Sequence, residues 1–291
     1  MKKYLLLLTF LSVIGNAQIV RKYSNEFLNI GAGARGLAMG GAVISNQNDV
    51  YAPMWNPAGL TEVESDWQGA AMHAEYFESI AKYDYISFAK ALDSKDGVLG
   101  ISIVRLGVDN ILNTTQMIDS EGNIDYDKIS KFSTSDYAGI ISYAFRPGGN
   151  QKLSVGINAK IVYRNIGKFA NGFGFGFDAG AIYRADSGYQ FGAMLRDATT
   201  TVNFWSINQK ELSAVVNGEE FNPAPKDKME ITMPKLNLGV SKNFEINRDL
   251  ELLPEAGLNV DFAKTAAVIS TDFASISPYL GVELSFQKMI F

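Results

Sequence analysis

The chain contains no cysteine, one histidine and no excess of positive charge. Without cysteine, no disulfide can stabilise the protein and no thiolate can bind a metal ion or carry a lipid. A zinc site would need several carboxylates around His73, since no second histidine is present. The net charge of −5, with no Lys/Arg cluster among aromatic residues, argues against nucleic acid as a partner. We therefore predict no metal site, no cofactor and no nucleic-acid partner.

Long hydrophobic runs are absent except near the first residue. Lys2 and Lys3 precede an apolar stretch over residues 4–14, and Gly15-Asn16-Ala17 supplies the small residues that a signal peptidase recognises. About 11 apolar residues are too few for a membrane anchor, which needs about 20. We therefore predict a signal peptide over residues 1–17 and export into the envelope of a Gram-negative bacterium.

Apolar residues alternate with polar residues or glycine along most of the remaining chain, as is typical of β-strands. The alternation is clearest at residues 153–164 and 173–184. Weaker alternation gives about ten strands in all, each near the 9–11 residues that a tilted strand needs to cross a bilayer. The other strands are predicted at 67–77, 82–92, 97–106, 136–145, 189–197, 231–244, 252–262 and 278–290.

The connections between these strands alternate in length. Short turns are predicted at 93–96, 147–150, 186–188 and 245–248, and long loops at 107–135, 199–230 and 264–277. Short turns at one end and long loops at the other are typical of outer-membrane barrels. A soluble β-sandwich, which is the alternative, has no reason to show this alternation.

The two faces of the strands differ in polarity. One face carries charged and amide side chains such as Asn158, Lys160, Asp178 and Glu283, which suits a water-filled lumen. The other face is apolar, with aromatic residues towards the strand ends, as in the girdles that contact membrane interfaces. We therefore predict an all-β protein, a transmembrane antiparallel β-barrel of the outer membrane whose apolar face contacts lipid.

The stretch from residue 24 to residue 63, which we call the hatch, is rich in Gly and Ala and has no helical periodicity. It resembles the N-terminal signature of the PorV/PorQ group of FadL-like outer-membrane proteins, through Phe27-Leu28, Gly31-Ala32-Gly33-Ala34-Arg35, Ala38-Met39-Gly40-Gly41-Ala42, Asp49 and Trp55-Asn56-Pro57-Ala58-Gly59-Leu60. The resemblance implies a barrel of about 14 strands with an N-terminal segment inside its lumen. We expect an N-terminal extension and hatch over residues 18–66 and the barrel wall over residues 67–291.

Within the hatch, glycine and alanine allow backbone segments to approach closely inside a lumen, and Pro57 fixes a rigid turn. Residues 31–36 also match the dinucleotide fingerprint GxGxxG, but neither the preceding strand nor the following amphipathic helix is present, so nucleotide binding is not predicted. The residues expected to hold the hatch are Gly31, Gly33, Arg35, Gly40, Gly41, Asp49, Asn56, Pro57 and Ala58.

The predicted strand count is smaller than the resemblance implies. Ten strands around a hatch of about 40 residues would be crowded. We therefore expect an incomplete copy of the barrel, with further strands following Phe291.

For function, the resemblance implies a component of the type IX secretion system. Members of that group associate with the large translocon barrel SprA and receive secreted cargo proteins. The loop at 199–230 would be the contact surface, because it carries Phe204, Trp205, Ile207 and Phe221 among polar residues. The alternative is that these side chains cap the mouth of the barrel itself.

Two other functions stay open at this stage. In FadL-type uptake of hydrophobic small molecules the hatch would gate a path through the lumen, but polar and charged inward faces are unfavourable for an apolar conduit. A structural barrel without transport is the third possibility. We do not expect an enzyme, because no motif such as GxSxG places a nucleophile and carboxylates facing Arg and Lys are ordinary in a lumen.

Overall fold

The computed structural model describes residues 24–92, 97–216, 219–223, 225, 228–265, 267–287 and 289–290. The predicted signal peptide and the predicted turn at 93–96 lie outside these ranges. In the described part of the chain, no helix is long and apolar enough to cross a membrane.

Ten long antiparallel strands form a wall in which each long strand pairs with the next long strand along the chain. The prediction of about ten long strands is confirmed. The long strands are β1 (Trp67–Tyr76), β2 (Ala81–Ala91), β3 (Gly97–Asn113), β4 (Ser130–Phe145), β5 (Leu153–Ile166), β6 (Ala170–Arg184), β7 (Tyr189–Arg196), β12 (Lys235–Lys242), β14 (Leu250–Asp261) and β16 (Ser275–Phe286).

Seven shorter strands and several short helices complete the described chain. The short strands are β8 (Thr201–Ile207), β9 (Ala214–Val216), β10 (Glu219–Phe221), β11 (Met229–Thr232), β13 (Phe244–Asn247), β15 (Ile269–Ser270) and β17 (Met289–Ile290). The α-helices are Ala34–Ala38, Ala52–Trp55 and Gln209–Leu212, and the 3₁₀ helices are Glu26–Asn29, Pro57–Glu62, Tyr126–Lys128 and Pro147–Gly149.

The apolar face of the wall points outward. Ile157 on β5, Phe175 on β6 and Leu280 on β16 expose 51%, 49% and 72% of their surface, respectively, while the alternate positions are buried inside. This is the reverse of a soluble barrel, in which the apolar face would be enclosed. The predicted class, an all-β membrane barrel with its apolar face outward, is confirmed.

The two ends of the wall differ as the connection lengths predict. One end carries the short turns at 146–152 and 185–188, and the other carries the connections at 114–129, 197–234 and 262–274; we call the latter the loop end. Two of the predicted loops are too long. β3 extends to Asn113 and β4 begins at Ser130, and the predicted loop at 199–230 contains β8, because its apolar residues pair with β6.

The chain bends between β7 and β8, which pair with different parts of β6. β6 pairs with β7 through its residues 179–184 and with β8 through its residues 170–175. Residues 197–200, between β7 and β8, belong to neither strand, and Asp197 and Thr200 adopt positive φ angles of 51° and 60°. An interruption of this kind redirects a side chain, and here it places Asp197 in the interior.

The long strands at the two edges of the wall are β1 and β16, which do not pair with each other in the described ranges; the two-residue strands β15 and β17 also pair with β16. The hatch contacts both edges: the backbone N–H of Gly33 lies 3.3 Å from the sulfur of Met72 on β1, and Arg35 pairs with Glu283 on β16 at 2.6 Å. The hatch therefore bridges the two edges. The expectation of further strands after Phe291 stays a prediction.

Candidate functional site

The hatch is built around the indole of Trp55, whose Nε1–H donates to the carbonyl of Ala32 at 2.7 Å. Glycines surround the ring, and a Cβ atom at Gly31, Gly36 or Gly41 would lie 2.3, 2.6 or 3.1 Å from it. The GxGxxG motif thus wraps a buried tryptophan of the same segment. Only residues without a side chain fit this closely around the ring.

Two further glycines have conformations that need their residue type. Gly33 has a φ of 87°, and a Cβ there would lie 2.9 Å from the ring of Tyr51. Gly40 has a φ of 62° but has open space around the position of a Cβ. Gly33 is therefore required by both conformation and space, whereas Gly40 is required by conformation alone.

Asn56 joins the hatch to the wall. Its amide nitrogen donates to the carbonyl of Ile44 at 2.8 Å and to that of Ala181 on β6 at 3.2 Å, while its side-chain oxygen accepts from the N–H of Ala58 at 3.2 Å. Pro57 follows at the start of a 3₁₀ helix, as is favoured at a first helical position.

The Asn-Pro-Ala turn presses directly on the wall. A Cβ at Gly156 on β5 would lie 2.4 Å from the carbonyl carbon of Pro57 and from the nitrogen of Ala58, and one at Gly180 would lie 2.1 Å from Asn56. These inward glycines of β5 and β6 therefore make room for the turn. Ala58 itself is fully buried.

Two glutamates on the other side of the lumen complete the attachment. The carboxylate of Glu255 on β14 accepts from the backbone N–H groups of Ile44 and Ser45 at 2.7 and 3.1 Å, from the Ser45 hydroxyl at 2.6 Å and from the Asn46 amide at 2.7 Å. Glu255 is fully buried, and four donors offset the cost of burying its charge. The carboxylate of Glu283 pairs with Arg35, whose guanidinium also donates to the side chain of Asn46 at 2.7 Å.

Asp49 organises the middle of the hatch. Its carboxylate accepts from the backbone N–H of Tyr51 at 2.8 Å and from the Gln47 amide at 2.5 Å. Burial, and then the charge of Asp49, raise the pKa of the Tyr51 phenol above its usual value. Asp49 therefore shapes the turn within the hatch and makes no hydrogen bond to the wall in the described ranges.

Facing β2 to β5, the hatch makes an apolar contact. On the hatch side the contact includes Phe27, Met54 and Trp55. The wall side of the same core consists of Tyr83, Tyr85, Val104, Ala138, Ile140 and Val162. The expectation that the inward faces are polar and charged is therefore wrong for this half of the lumen. The expectation assumed that the inward side of every strand contacts water. On β2 to β5 the inward side packs against the hatch instead, so it is apolar.

A buried ion cluster lies at the bend between β7 and β8. The Lys160 ammonium lies 2.6 Å from the carboxylate of Asp178 and 2.7 Å from that of Asp197, and the Thr201 hydroxyl also donates to Asp197. The N–H of Asp197 donates to Asp178 at 2.8 Å. The cluster reaches the hatch through Asn158, whose amide bridges Asp178 and the carbonyl of Pro53.

A cavity of about 350 Å³ lies between the hatch and the inner face of the wall, close to the loop end. The hatch contributes apolar side chains, Ile30, Leu37 and Trp55, and the wall contributes Arg196, Lys235, Asn237, Asn259 and Asp261. Its volume is in the range of small-molecule sites. Within the described residues, no group of three or more His, Asp and Glu side chains could hold a metal ion.

The residues expected to contact a partner do not form one exposed surface. Phe204 and Trp205 are neighbours on β8, so they point to opposite faces. Phe204 is half-exposed on the outer face beside Phe173, whereas the Trp205 indole donates to Glu230 at 3.0 Å and lies under the guanidinium of Arg164. Ile207 ends β8, paired with Ala170, and Phe221 ends β10, paired with Ala214.

Sequence reasoning missed several residues of this site. Glu255, Ser241, Arg196 and Asn237 were not singled out, although each occupies an inward position of its strand. The alternation places such residues in the lumen, but it does not indicate which of them meets the hatch.

No family model matches the sequence, and no curated protein is similar to it. Among solved structures, the toluene transporter TodX of Pseudomonas putida superimposes with a TM-score of 0.51 at 13% identity, over 88% of this chain and 80% of that one. The toluene transporter TbuX of Ralstonia pickettii gives 0.52 at 14% identity, over 89% and 83% of the two chains. The monoaromatic hydrocarbon channel CymD gives 0.51 at 13% identity, over 88% and 80%.

These likenesses correct the predicted function. These three structures are hydrocarbon channels and transporters, so the prediction of a PorV-type component of type IX secretion is wrong. The N-terminal signature that suggested it packs the hatch around Trp55 and against the wall. At 13–14% identity the likeness identifies the fold, and the chain has the FadL-like fold, a β-barrel wall around an N-terminal hatch.

Proposed function

We propose that this protein is an uptake channel of the Gram-negative outer membrane for small hydrophobic molecules, with the hatch as its gate. The observation that carries the proposal is the cavity of about 350 Å³ between the hatch and the wall. A cavity of that size, lined in part by apolar side chains and closed on one side by a separate segment, suits a small molecule that waits for the segment to move.

The outward faces of the strands support a location within a lipid bilayer. Exposed residues such as Ile157, Phe175, Leu280 and Val282 would be costly in water but favourable against lipid. The signal peptide predicted at residues 1–17 would deliver the chain to the envelope. Lipid of the outer membrane is then the partner of the wall.

The apolar half of the lumen supports a route for an apolar molecule. Tyr83, Tyr85, Val104 and Ile140 pack against the hatch mainly through van der Waals contact, whereas the opposite half is held by Glu255 and Glu283. A displacement of the hatch that releases its contacts with Glu255 and Glu283 would open this apolar surface to the lumen. Under this proposal no side chain acts as a catalyst and no cofactor takes part.

The test is to lock the hatch to the wall. The hydroxyl groups of Ser45 in the hatch and Ser241 on β12 are 2.7 Å apart and buried, so Ser45→Cys with Ser241→Cys should form a disulfide without large movement. The absence of native cysteine makes the cross-link unambiguous. The measurement is uptake of toluene by cells that express the protein, relative to cells that carry an empty vector, before and after dithiothreitol.

We expect the cross-linked protein to lose at least about tenfold in uptake and dithiothreitol to restore it, while Ser45→Cys alone takes up toluene like the parent. Normal uptake by a protein shown by mass spectrometry to be cross-linked would contradict the gating role. If the parent protein gave no more uptake than the empty vector, the channel function itself would be wrong.

A further inference from the structure

The polar wall of the cavity contains a pair of asparagines in register. Asn237 on β12 lies directly opposite Asn259 on β14, and the Asn237 amide nitrogen donates to the Asn259 side-chain oxygen at 2.5 Å. The Asn237 side-chain oxygen is buried and has no hydrogen-bond partner in the described ranges. The pair therefore leaves an acceptor on Asn237 and donor capacity on Asn259.

Unsatisfied amides of this kind favour an occupant that can hydrogen-bond. An apolar molecule in the cavity would offer these amides no hydrogen-bond partner, so the desolvation penalty of the unsatisfied groups would remain. A hydroxyl, carbonyl or amide on the occupant would satisfy them. Recognition of a polar group through buried partners also discriminates strongly against an analogue that lacks the group.

The charged residues of the cavity compensate one another. The Lys235 ammonium lies 3.4 Å from the carboxylate of Asp261 and 3.6 Å from that of Glu26. The Arg196 guanidinium donates to two hatch carbonyls, those of Leu28 and Met54. The lining therefore contains two cations and one carboxylate, and Glu26, which pairs with Lys235 from outside the lining, supplies the second negative charge. With these charges balanced, neither an anionic nor a cationic head would meet a net opposite charge.

The hatch side of the cavity is apolar, with Ile30, Leu37 and Trp55. An occupant would therefore present one apolar side to the hatch and one polar group to the wall. From this arrangement we infer that the channel binds small amphipathic molecules with an uncharged polar head and an apolar body about the size of one ring, in preference to plain hydrocarbons. The inference rests on the proposed uptake function and assigns its substrate class.

Four ligands, each with one aromatic ring, test whether the head group is an uncharged polar group, absent, anionic or cationic. They are benzyl alcohol, toluene, benzoate and benzylamine, respectively. Binding to the full chain in lipid nanodiscs is measured by calorimetry, with empty nanodiscs to correct for partition into lipid. We expect benzyl alcohol to bind about tenfold more tightly than toluene and more tightly than either charged ligand. In a variant that combines Asn237→Leu and Asn259→Leu, the preference for benzyl alcohol over toluene should disappear while toluene binding is retained.

Asn165→Leu is the matched control, because Asn165 lies on β5 and does not line the cavity; it should keep the full preference. Retained toluene binding shows that the double variant is folded. The inference is overturned if toluene binds as tightly as benzyl alcohol to the parent protein, if benzoate or benzylamine binds most tightly, if none of the four binds, or if the double variant keeps the preference. Toluene uptake that still depends on a free hatch would leave the proposed function intact in the first two of these cases.

Discussion

The carboxylate of Glu255 accepts a hydrogen bond of 2.7 Å from the backbone N–H of Ile44, 211 positions earlier in the chain. The contact joins a wall strand to the hatch, and Ser45 and Asn46 donate to the same carboxylate. The buried carboxylate of Glu255 needs hydrogen-bond donors, and the buried backbone N–H groups of Ile44 and Ser45 need an acceptor. The wall and the hatch therefore satisfy each other's polar groups. The hatch is therefore held by specific polar contacts on this side of the lumen.

Removal of this carboxylate should loosen the hatch. In Glu255→Ala the N–H groups of Ile44 and Ser45 lose their acceptor while still buried, and we expect a loss of about 3 kcal/mol in the free energy of unfolding. Hydrogen exchange at residues 44–46 should rise as well. Glu251→Gln is the control, because Glu251 lies on the same strand but is exposed, and it should change stability by less than about 0.5 kcal/mol. Unchanged exchange at residues 44–46 in Glu255→Ala would contradict the assignment.

Two glycine substitutions separate backbone conformation from space around Trp55. Gly31 and Gly40 both have positive φ angles, but only a Cβ at Gly31 would collide with the indole. Gly40→Ala should cost about 1–2 kcal/mol from conformation alone. Gly31→Ala should cost clearly more, because the ring must also move, and denaturant titration in detergent measures the difference. Equal costs for the two variants would show that Trp55 does not anchor the hatch.

The buried cluster at the bend between β7 and β8 should depend on its lysine. In Lys160→Met two carboxylates, Asp178 and Asp197, are left buried without a cation, and we expect a loss of about 3–5 kcal/mol. Changing both aspartates to asparagine in the same variant should recover much of that loss.

Lys152→Met is the comparison, because Lys152 also pairs with an aspartate, Asp186, but at the surface. Its thermal midpoint should equal that of the parent, since exposed ion pairs contribute little. A Lys160→Met variant as stable as Lys152→Met would mean that water reaches the cluster and that the bend is not held by it.

Contact of the outward face with lipid can be tested by the same substitution, isoleucine to arginine, at two positions. Ile157 lies on the outer face of β5, and Ile124 lies in the connection between β3 and β4; both are more than half exposed. Ile157→Arg should cost about 2–4 kcal/mol on folding into lipid vesicles, because the charge would face the bilayer interior. Ile124→Arg should fold as the parent does. Equal folding efficiency of the two variants would place the wall outside the membrane.

The strands and their faces were predictable because a strand repeats every two residues, so any segment in contact with lipid carries a local, countable signal. The start of the wall at Trp67 and the outward positions of Ile157 and Leu280 follow from it. Arg35 and Asn56 were identified as hatch residues from local motifs, and both contact the wall. The opposite faces of Phe204 and Trp205 were not predictable, because the predicted loop gave no sign that β8 pairs with β6. Their contact with a partner stays a prediction.

By itself, therefore, the sequence determined a barrel whose strands alternate apolar and polar residues, with an apolar exterior, and a glycine-rich segment before the barrel. Both features depend on residues that are near one another in the chain. Only the tertiary structure decided which lumen residues meet that segment. The fold of the hatch across the interior brings Ser45 to Glu255. Strand register places Asn237 opposite Asn259, in the cavity that Trp55 also lines. The physical reason is that a hydrogen bond between distant residues leaves no periodic trace along the chain, whereas contact with lipid does.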